Sequence, residues 1–216
     1  MNWAQTIIAN DPHPFEIVLK ARQIGMTTYY ALRSLDRVLF TNNYSCGIIA
    51  HTLDDTSNIF KDKLKFAFDN LDHRIGSFFK TVGDSAKELS FVHGSVIRVG
   101  TSLRSSTLQD LHISEFGKIC AKDPQKAKEI ISGSLNTIHS GQNIVIESTA
   151  EGKEGYFYEM CQLAESRKDK ELGPMDFKFR FFPWHNHPEY RLEYPAHISD
   201  RLKEYFDKTE LNGVKL

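Results

Sequence analysis

The chain has 216 residues, 40% hydrophobic and 25% charged, the make-up of an ordinary globular protein large enough to bury a sizeable core. Its 27 basic and 28 acidic residues leave a net charge of −1, which excludes a polycation and leaves any nucleic-acid binding to a local patch. Cys46, Cys120 and Cys161 form no CxxC pair, no apolar run approaches membrane-spanning length, and "MNWAQTIIANDPHP" is no signal peptide, so the expectation is a cytoplasmic protein without a disulfide framework or zinc knuckle.

Short β-rich apolar runs alternate with helical patterns along the chain, which predicts an α/β fold with a mostly parallel sheet flanked by helices. Residues 15–21, "FEIVLKA", read as a buried strand entering a loop, and "TTYYALRSL" after it as a helix. "CGIIAHT" (46–52) is the next strand. The segment 53–71 suits a long, partly buried helix through Ile59, Phe60, Leu64, Phe66 and Phe68. Residues 88–102 read as two strands with a hairpin turn at His93-Gly94. "LQDLHISEF" and "NIVIESTAEG" are two more strands ending in polar residues. Between them a helix starts with Asp123 as N-cap and Pro124 in its first turn. A helix running into a charged Gly-Pro loop, a strand in "FKFRFFPWH" and a helix in "ISDRLKEYFDKTEL" complete the chain. The alternation continues to about Trp184, so one domain over residues 1–185 is expected, with 186–216 as an appendage or the start of a linker.

Three stretches carry chemistry. In "KARQIGMTT", a strand–loop–helix junction offers free backbone N–H groups and a helix N-terminus to an anion. Gly25 permits a close backbone approach and Thr27 holds the position of a magnesium-binding hydroxyl. Met26 stands where a phosphate-loop lysine would follow the glycine, but Lys20 and Arg22 lie on the strand side of the same loop. In "LQDLHISEFGK", Glu115 follows the alternation of Leu111 and Ile113, where nucleoside-triphosphate hydrolases place the carboxylate that polarises the attacking water. Ser114 precedes it, where aspartate is usual. In "IVIESTAEG", hydroxyls and a flexible turn fall at the carboxyl edge of the sheet, where open α/β sheets bind ligands. Taken singly, these stretches are equally a plain βα turn, a helix-capping glutamate and a tight turn.

Their order and spacing together resemble the ATPase domain of the large terminase subunit of tailed bacteriophages and prophages, a RecA-like P-loop NTPase of the ASCE type. "KARQIGMTT" matches that family's Ala/Ser-Arg-Gln-x-Gly-x-Thr-Thr loop, "LHISEFGKI" its Walker B strand with Ser-Glu for Asp-Glu, and "IESTAEG" its coupling motif. "GIIAHTLDDTSNIFKDKL" looks like its second strand and helix, and "FFPWHNHPEY" like the segment closing its ATPase core. The resemblance implies ATP and Mg²⁺ as ligands of the loop Lys20, Ala21, Arg22, Gln23, Ile24, Gly25, Met26, Thr27 and Thr28. Lys20 would bind the β- and γ-phosphates, as in members that carry the Walker A lysine upstream of the arginine. Thr27 and, through water, Ser114 would hold magnesium. Arg22 would sense the γ-phosphate, Glu115 would be the catalytic base, and Ser148, Thr149 and Gly152 would form the coupling turn. Arg104 resembles an arginine inserted by a neighbouring subunit, worth about three to five powers of ten in related hydrolases; an exposed hairpin arginine is its other reading. Gln5 falls where an adenine-reading glutamine stands, or simply starts an amphipathic helix.

The implied function is ATP hydrolysis driving double-stranded viral DNA into a procapsid, in the cytoplasm of the bacterial host. The implied partners are DNA, the portal protein, the small terminase subunit and further copies of the chain in a ring, with no membrane. Strand-end Asp/Glu pairs suited to two metals are not evident after Trp184, so no nuclease activity is expected. Met26 and Ser114 keep open a non-hydrolysing nucleotide- or DNA-binding module of decayed prophage origin; a helicase-like translocase of another family is the other alternative. His185 and His187 have a spacing that could ligate a metal, but read better as structural, since no further ligands accompany them. Lys118, Lys122, Lys126 and Lys128 are a DNA-backbone patch or a solvated helix face.

Overall fold

The computed structural model describes residues 1–103, 107–133, 141–190, 198–208, 210–211 and 214–215, and the chain divides into two compact units, Met1–Trp184 and His185–Leu216. The first unit runs α1 (Trp3–Asn10), β1 (Phe15–Lys20), α2 (Met26–Phe40), β2 (Ser45–Ile49) and α3 (Leu53–Ile59). A π-helical stretch, Phe60–Lys65, leads into α4 (Phe66–Asp69), followed by α5 (His73–Gly76), β3 (Thr81–Ser85), β4 (Glu88–Phe91) and β5 (Val96–Gly100). Then come β6 (Asp110–Ser114), α6 (Phe116–Lys122), α7 (Pro124–Gly133), β7 (Asn143–Ser148), α8 (Gly155–Glu165) and β8 (Lys178–Phe182). In the second unit α9 (Asp200–Lys208) precedes a short antiparallel pair, β9 (Glu210–Leu211) and β10 (Val214–Lys215).

Eight strands form one sheet in the order β3-β4-β5-β2-β6-β7-β1-β8. From β5 to β8 every neighbouring pair is parallel, and β3 and β4 extend one edge as antiparallel strands. The fold is therefore α/β and RecA-like, with one strand, β7, inserted between the loop-bearing β1 and β6. The hairpin expected at His93-Gly94 joins β4 to β5, with Gly94 at φ 82°. The edge strand β3 escapes a sequence reading because "TVGDS" is mostly exposed and carries no apolar alternation. The expected long helix over 53–71 contains the π-helical stretch. Ile59, Phe60 and Leu64 are buried, whereas Phe66 lies exposed, because the widened turn moves it off the inward stripe.

Alternation along the central strands gives the sheet two different faces. One is apolar: Ile17, Leu111, Ile113, Ile144 and Ile146 pack against Phe116 and Ile119 of α6 and Phe157 and Cys161 of α8. The other lies under α2 and carries buried acids, each paired because an unpaired buried charge is costly. Glu16 accepts from Tyr30, Arg33 and Arg180, and Asp110 accepts from Ser34 and Arg37. Period two continues this polar row to the carboxyl edge, where Lys20, Ser114 and Glu147 end it. Among the described residues, no helix is long and apolar enough to cross a membrane.

Candidate active site

The loop between β1 and α2 reverses through two left-handed residues, Gln23 at φ 58° and Gly25 at φ 74°. Gly25 is demanded twice over, since a Cβ there would also meet the Gln5 amide nitrogen at 2.9 Å. The start of α1 clamps the loop: Asn2 Nδ2 donates to the Ile24 carbonyl at 2.7 Å and Gln5 Nε2 to the Gly25 carbonyl at 3.0 Å. Gln5 Oε1 accepts from the Asn2 amide at 2.9 Å, closing a capping box. The amide of Gln5 thus braces the loop backbone.

A cleft of about 420 Å³ opens over this loop, within the range of small-ligand sites. Lys20 and residues 23–28 line one side; Ser114, Glu115, Lys63 and Lys118 line the other. Ala21 and Arg22 do not line it, and Arg22 is exposed. Met26 turns inward, 1% exposed, among Ile8, Val18, Tyr30 and Phe182. The residue after the glycine is thus a core residue, and Lys20 reaches the cleft from the end of β1.

That cation sits between two carboxylates. Lys20 Nζ lies 2.9 Å from Glu115 Oε1 and 3.1 Å from Glu147 Oε2. Glu147 is fully buried; its Oε1 accepts from Thr27 Oγ1 at 2.6 Å and from Ser114 Oγ at 2.8 Å, with His112 Nε2 at 3.4 Å. Burial opposes ionisation of Glu147, but the Lys20 charge, His112 and the Thr27 hydroxyl outweigh it and hold the carboxyl far below the usual range. Burial likewise works against the charge on Lys20, and Glu147 and then Glu115 overcome it, raising its pKa. Glu115 adopts φ 57°, ψ 42°, a left-handed conformation unfavourable for a residue with a Cβ. Its second oxygen pairs with Lys118 at 2.9 Å and accepts from Thr149 Oγ1 at 3.4 Å. Strain of this kind persists where surrounding contacts enforce it, and three side chains do so here.

Sequence reasoning missed Glu147. The signal was available: one acid inside the otherwise apolar "IVIES", on a strand that had to be buried on both faces. The Ser148 hydroxyl is buried without a hydrogen-bond partner, and Gly152 has φ 88°. Gly117 lets α6 approach this turn; a Cβ there would stand 2.8 Å from Ser148 Oγ and 3.0 Å from the Thr149 carbonyl. Arg104 lies outside the described residues. Lys122 and Lys128 are exposed and Lys126 half-buried, while Lys118 belongs to the cleft. In the second unit the His187 ring stacks on Tyr190 at 4.4 Å.

Among the described residues, no group of three or more His, Cys, Asp or Glu could hold a metal by itself. The donor set at the cleft suits magnesium arriving with phosphates, which keeps several waters and needs only one or two protein carboxylates. Hydroxyls of Thr27 and Ser114 lie 3.5 Å apart beside the Glu147 carboxylate, an oxygen-only set of that kind.

Neither a protein-family model nor a curated protein matches the sequence. Solved structures do match. The ATPase domain of the Thermus phage P74-26 large terminase superposes with a TM-score of 0.59 at 16% identity, over 84% of this chain and 80% of that one. The bacteriophage HK97 large terminase gives 0.63 at 14% identity, over 96% of this chain and 42% of its own. This chain has the fold of a large terminase ATPase domain. The large terminase of a thermophilic bacteriophage, solved in complex with ADP, has the same fold, with a TM-score of 0.53 at 12% identity over 96% of this chain and 50% of that one. The chain therefore spans half or less of these two large terminase chains. In all three the likeness rests on the terminase fold alone, because so few residues are identical.

Proposed function

We propose that the chain is an ATP-driven motor of phage DNA packaging, hydrolysing ATP to move double-stranded DNA into a procapsid. One observation carries the reading: Lys20, Thr27, Ser114 and Glu115, up to 95 residues apart in the chain, meet in one cleft at the carboxyl edge of the sheet. The solved likenesses to packaging ATPases, one holding ADP, support it.

In this reading the backbone N–H groups of residues 23–28 cradle the phosphates and Lys20 supplies their counter-charge. Magnesium, when bound with the nucleotide, neutralises charge that develops on the phosphate oxygens. Thr27 and Ser114 are the hydroxyls placed to hold it. Phosphates draw the Lys20 amine away from Glu115, which leaves that carboxylate free to orient a water for in-line attack on the γ-phosphorus. The proton passes to Glu115 and the bond from the γ-phosphorus to the β–γ bridging oxygen breaks, releasing ADP and phosphate. Thr149 touches Glu115, so the 148–152 turn feels its change of partner and passes it on as coupling to DNA. Arg22 and Arg104 are reserved for the γ-phosphate, the latter across subunits of a ring. Residues 1–185 form the ATPase and 186–216 an appendage or linker; DNA, portal and small terminase subunit are the partners.

The test is Mg²⁺-dependent phosphate release by the full chain, with and without duplex DNA. Glu115→Ala should lower turnover about 10²- to 10⁴-fold, the usual range for a general base, and Lys20→Ala should weaken nucleotide binding as well. The second reading, a non-hydrolysing binding module, draws on Ser114 and on the lysine held between two acids. Nucleotide binding with no turnover, even at high protein concentration, decides for that module.

A further inference from the structure

Ser114 leaves β6 without the acidic side chain that phosphate-handling sites place beside a magnesium-bound hydroxyl. The neighbouring strand supplies one. Register pairs Ser114 directly with Glu147, so both side chains emerge on the same face one strand spacing apart, with Glu147 nearer the loop strand β1. A glutamate is one methylene longer than an aspartate, and its Oε1 gathers both hydroxyls, Thr27 at 2.6 Å and Ser114 at 2.8 Å. We infer that Glu147 is the carboxylate that positions magnesium at the phosphate cleft, a role moved from β6 to β7. The inference rests on the nucleotide-binding reading above.

The chemistry follows from the hydrogen bonds. A hydroxyl is a good magnesium ligand when its own proton has a strong acceptor, because its lone pairs are then turned towards the cation and enriched. Glu147 Oε1 is that acceptor for Thr27 and Ser114 at once. Such outer partners fix ligand orientation, and losing one typically lowers metal affinity about 10- to 100-fold. Two neighbours and full burial hold the carboxylate in place. Lys20 binds its other oxygen at 3.1 Å, His112 approaches from below at 3.4 Å, and the side chain has no exposure to solvent. Glu115, by contrast, is partly exposed at the cleft, and once phosphates draw Lys20 away its Oε1 is open to the attacking water while Oε2 keeps Lys118 and Thr149. The two acids thereby divide tasks that usually fall to adjacent residues of one strand. Glu147 is a positioning residue and touches no reacting atom.

The experiment is equilibrium titration of the full chain with a fluorescent ADP analogue, in excess Mg²⁺ and in EDTA, with thermal melting as the check on folding. Wild type should bind more tightly with Mg²⁺. Glu147→Gln should keep its affinity in EDTA but lose the magnesium-dependent gain by about 10- to 100-fold. Adding Ser114→Asp to Glu147→Gln returns a carboxylate to β6 and should recover most of that gain, which a purely structural role for Glu147 would not do. The double variant also restores the net charge of the buried cluster, so it reads out even where Glu147→Gln alone folds poorly. A full magnesium gain in folded Glu147→Gln overturns the inference, as does a folded double variant with no gain. Wild type that binds no nucleotide in either condition overturns the nucleotide reading itself, and this inference with it.

Discussion

The amine of Lys20 lies 2.9 Å from the carboxylate of Glu115, joining the end of the first strand to a left-handed residue at the end of the sixth. Both groups are mostly shielded from solvent, and Glu147 completes the cluster beneath them. Removing the cation leaves two facing carboxylates with their mutual repulsion uncompensated. Lys20→Met should therefore destabilise the fold by about 3 kcal/mol, the scale for breaking a buried pair on one side. Urea denaturation measures it; an unchanged midpoint would show that the cluster contributes nothing to folding.

Restoring the commoner loop sequence should not help. Met26→Lys puts an ammonium among Ile8, Val18, Tyr30 and Phe182 rather than into the cleft. The expected outcome is a loss of about 3 kcal/mol or more from packing and desolvation together, with no gain in nucleotide affinity. A variant that melts like wild type and binds nucleotide more tightly would contradict the inward placement of Met26.

Gly117→Ala probes the turn rather than the loop. The added methyl meets Ser148 Oγ at 2.8 Å, the Thr149 carbonyl at 3.0 Å and the Phe157 ring at 3.2 Å. Overpacking of this kind costs about 1–3 kcal/mol. Because part of the strain falls on Thr149, whose hydroxyl touches Glu115, turnover per folded molecule should drop while nucleotide affinity stays. Equal turnover after correction for folded fraction would show that the turn is not coupled to the site.

Glu16→Gln serves as the contrast. Its carboxylate is fully buried, does not line the cleft, and accepts from Tyr30, Arg33 and Arg180. Losing the charge leaves the half-buried Arg33 facing a neutral amide and the buried Arg180 with Asp11 as its remaining carboxylate, for a cost of about 3 kcal/mol. Calorimetry should show that loss, while nucleotide affinity below the melting range stays within about twofold, since sites with no shared partners act independently.

Alkaline pH should unfold the chain partly through its thiols. Burial, and then the Glu165 charge, push the Cys161 thiol up to about 12, and burial also raises Cys46 and Cys120. An unfolded thiol ionises near pH 8.5, so the stabilisation is fully present below that value and is lost as pH rises towards 12. The Cys161 thiol steepens the decline by about 1.4 kcal/mol per pH unit across that window, and Cys46 and Cys120 act in the same direction. Cys161→Ala should make the fall in urea midpoint between pH 9 and pH 11 shallower than in wild type; an identical slope would remove Cys161 from the account.

Much of this protein is written locally. Alternating apolar runs, the Asp123-Pro124 helix start and the His93-Gly94 turn depend on neighbours two to four residues away, so the strands and helices are legible without a fold. The three polar strand ends are legible for the same reason, and their order along the chain pointed to the terminase ATPase architecture. What the sequence left open was decided by distance across the sheet. Met26 faces the core because α2 sets it among Ile8 of α1, Val18 of β1 and Phe182 of β8. Gln5 grips the loop because α1 lies against it. Glu147 meets Lys20, Thr27 and Ser114 only once β7 is inserted between β1 and β6, since its partners come from the two neighbouring strands and the start of α2, not from adjacent residues. The sequence determined that a glycine-bearing strand–loop–helix junction and an acid-ended strand exist; the tertiary structure decided which acids share the lysine.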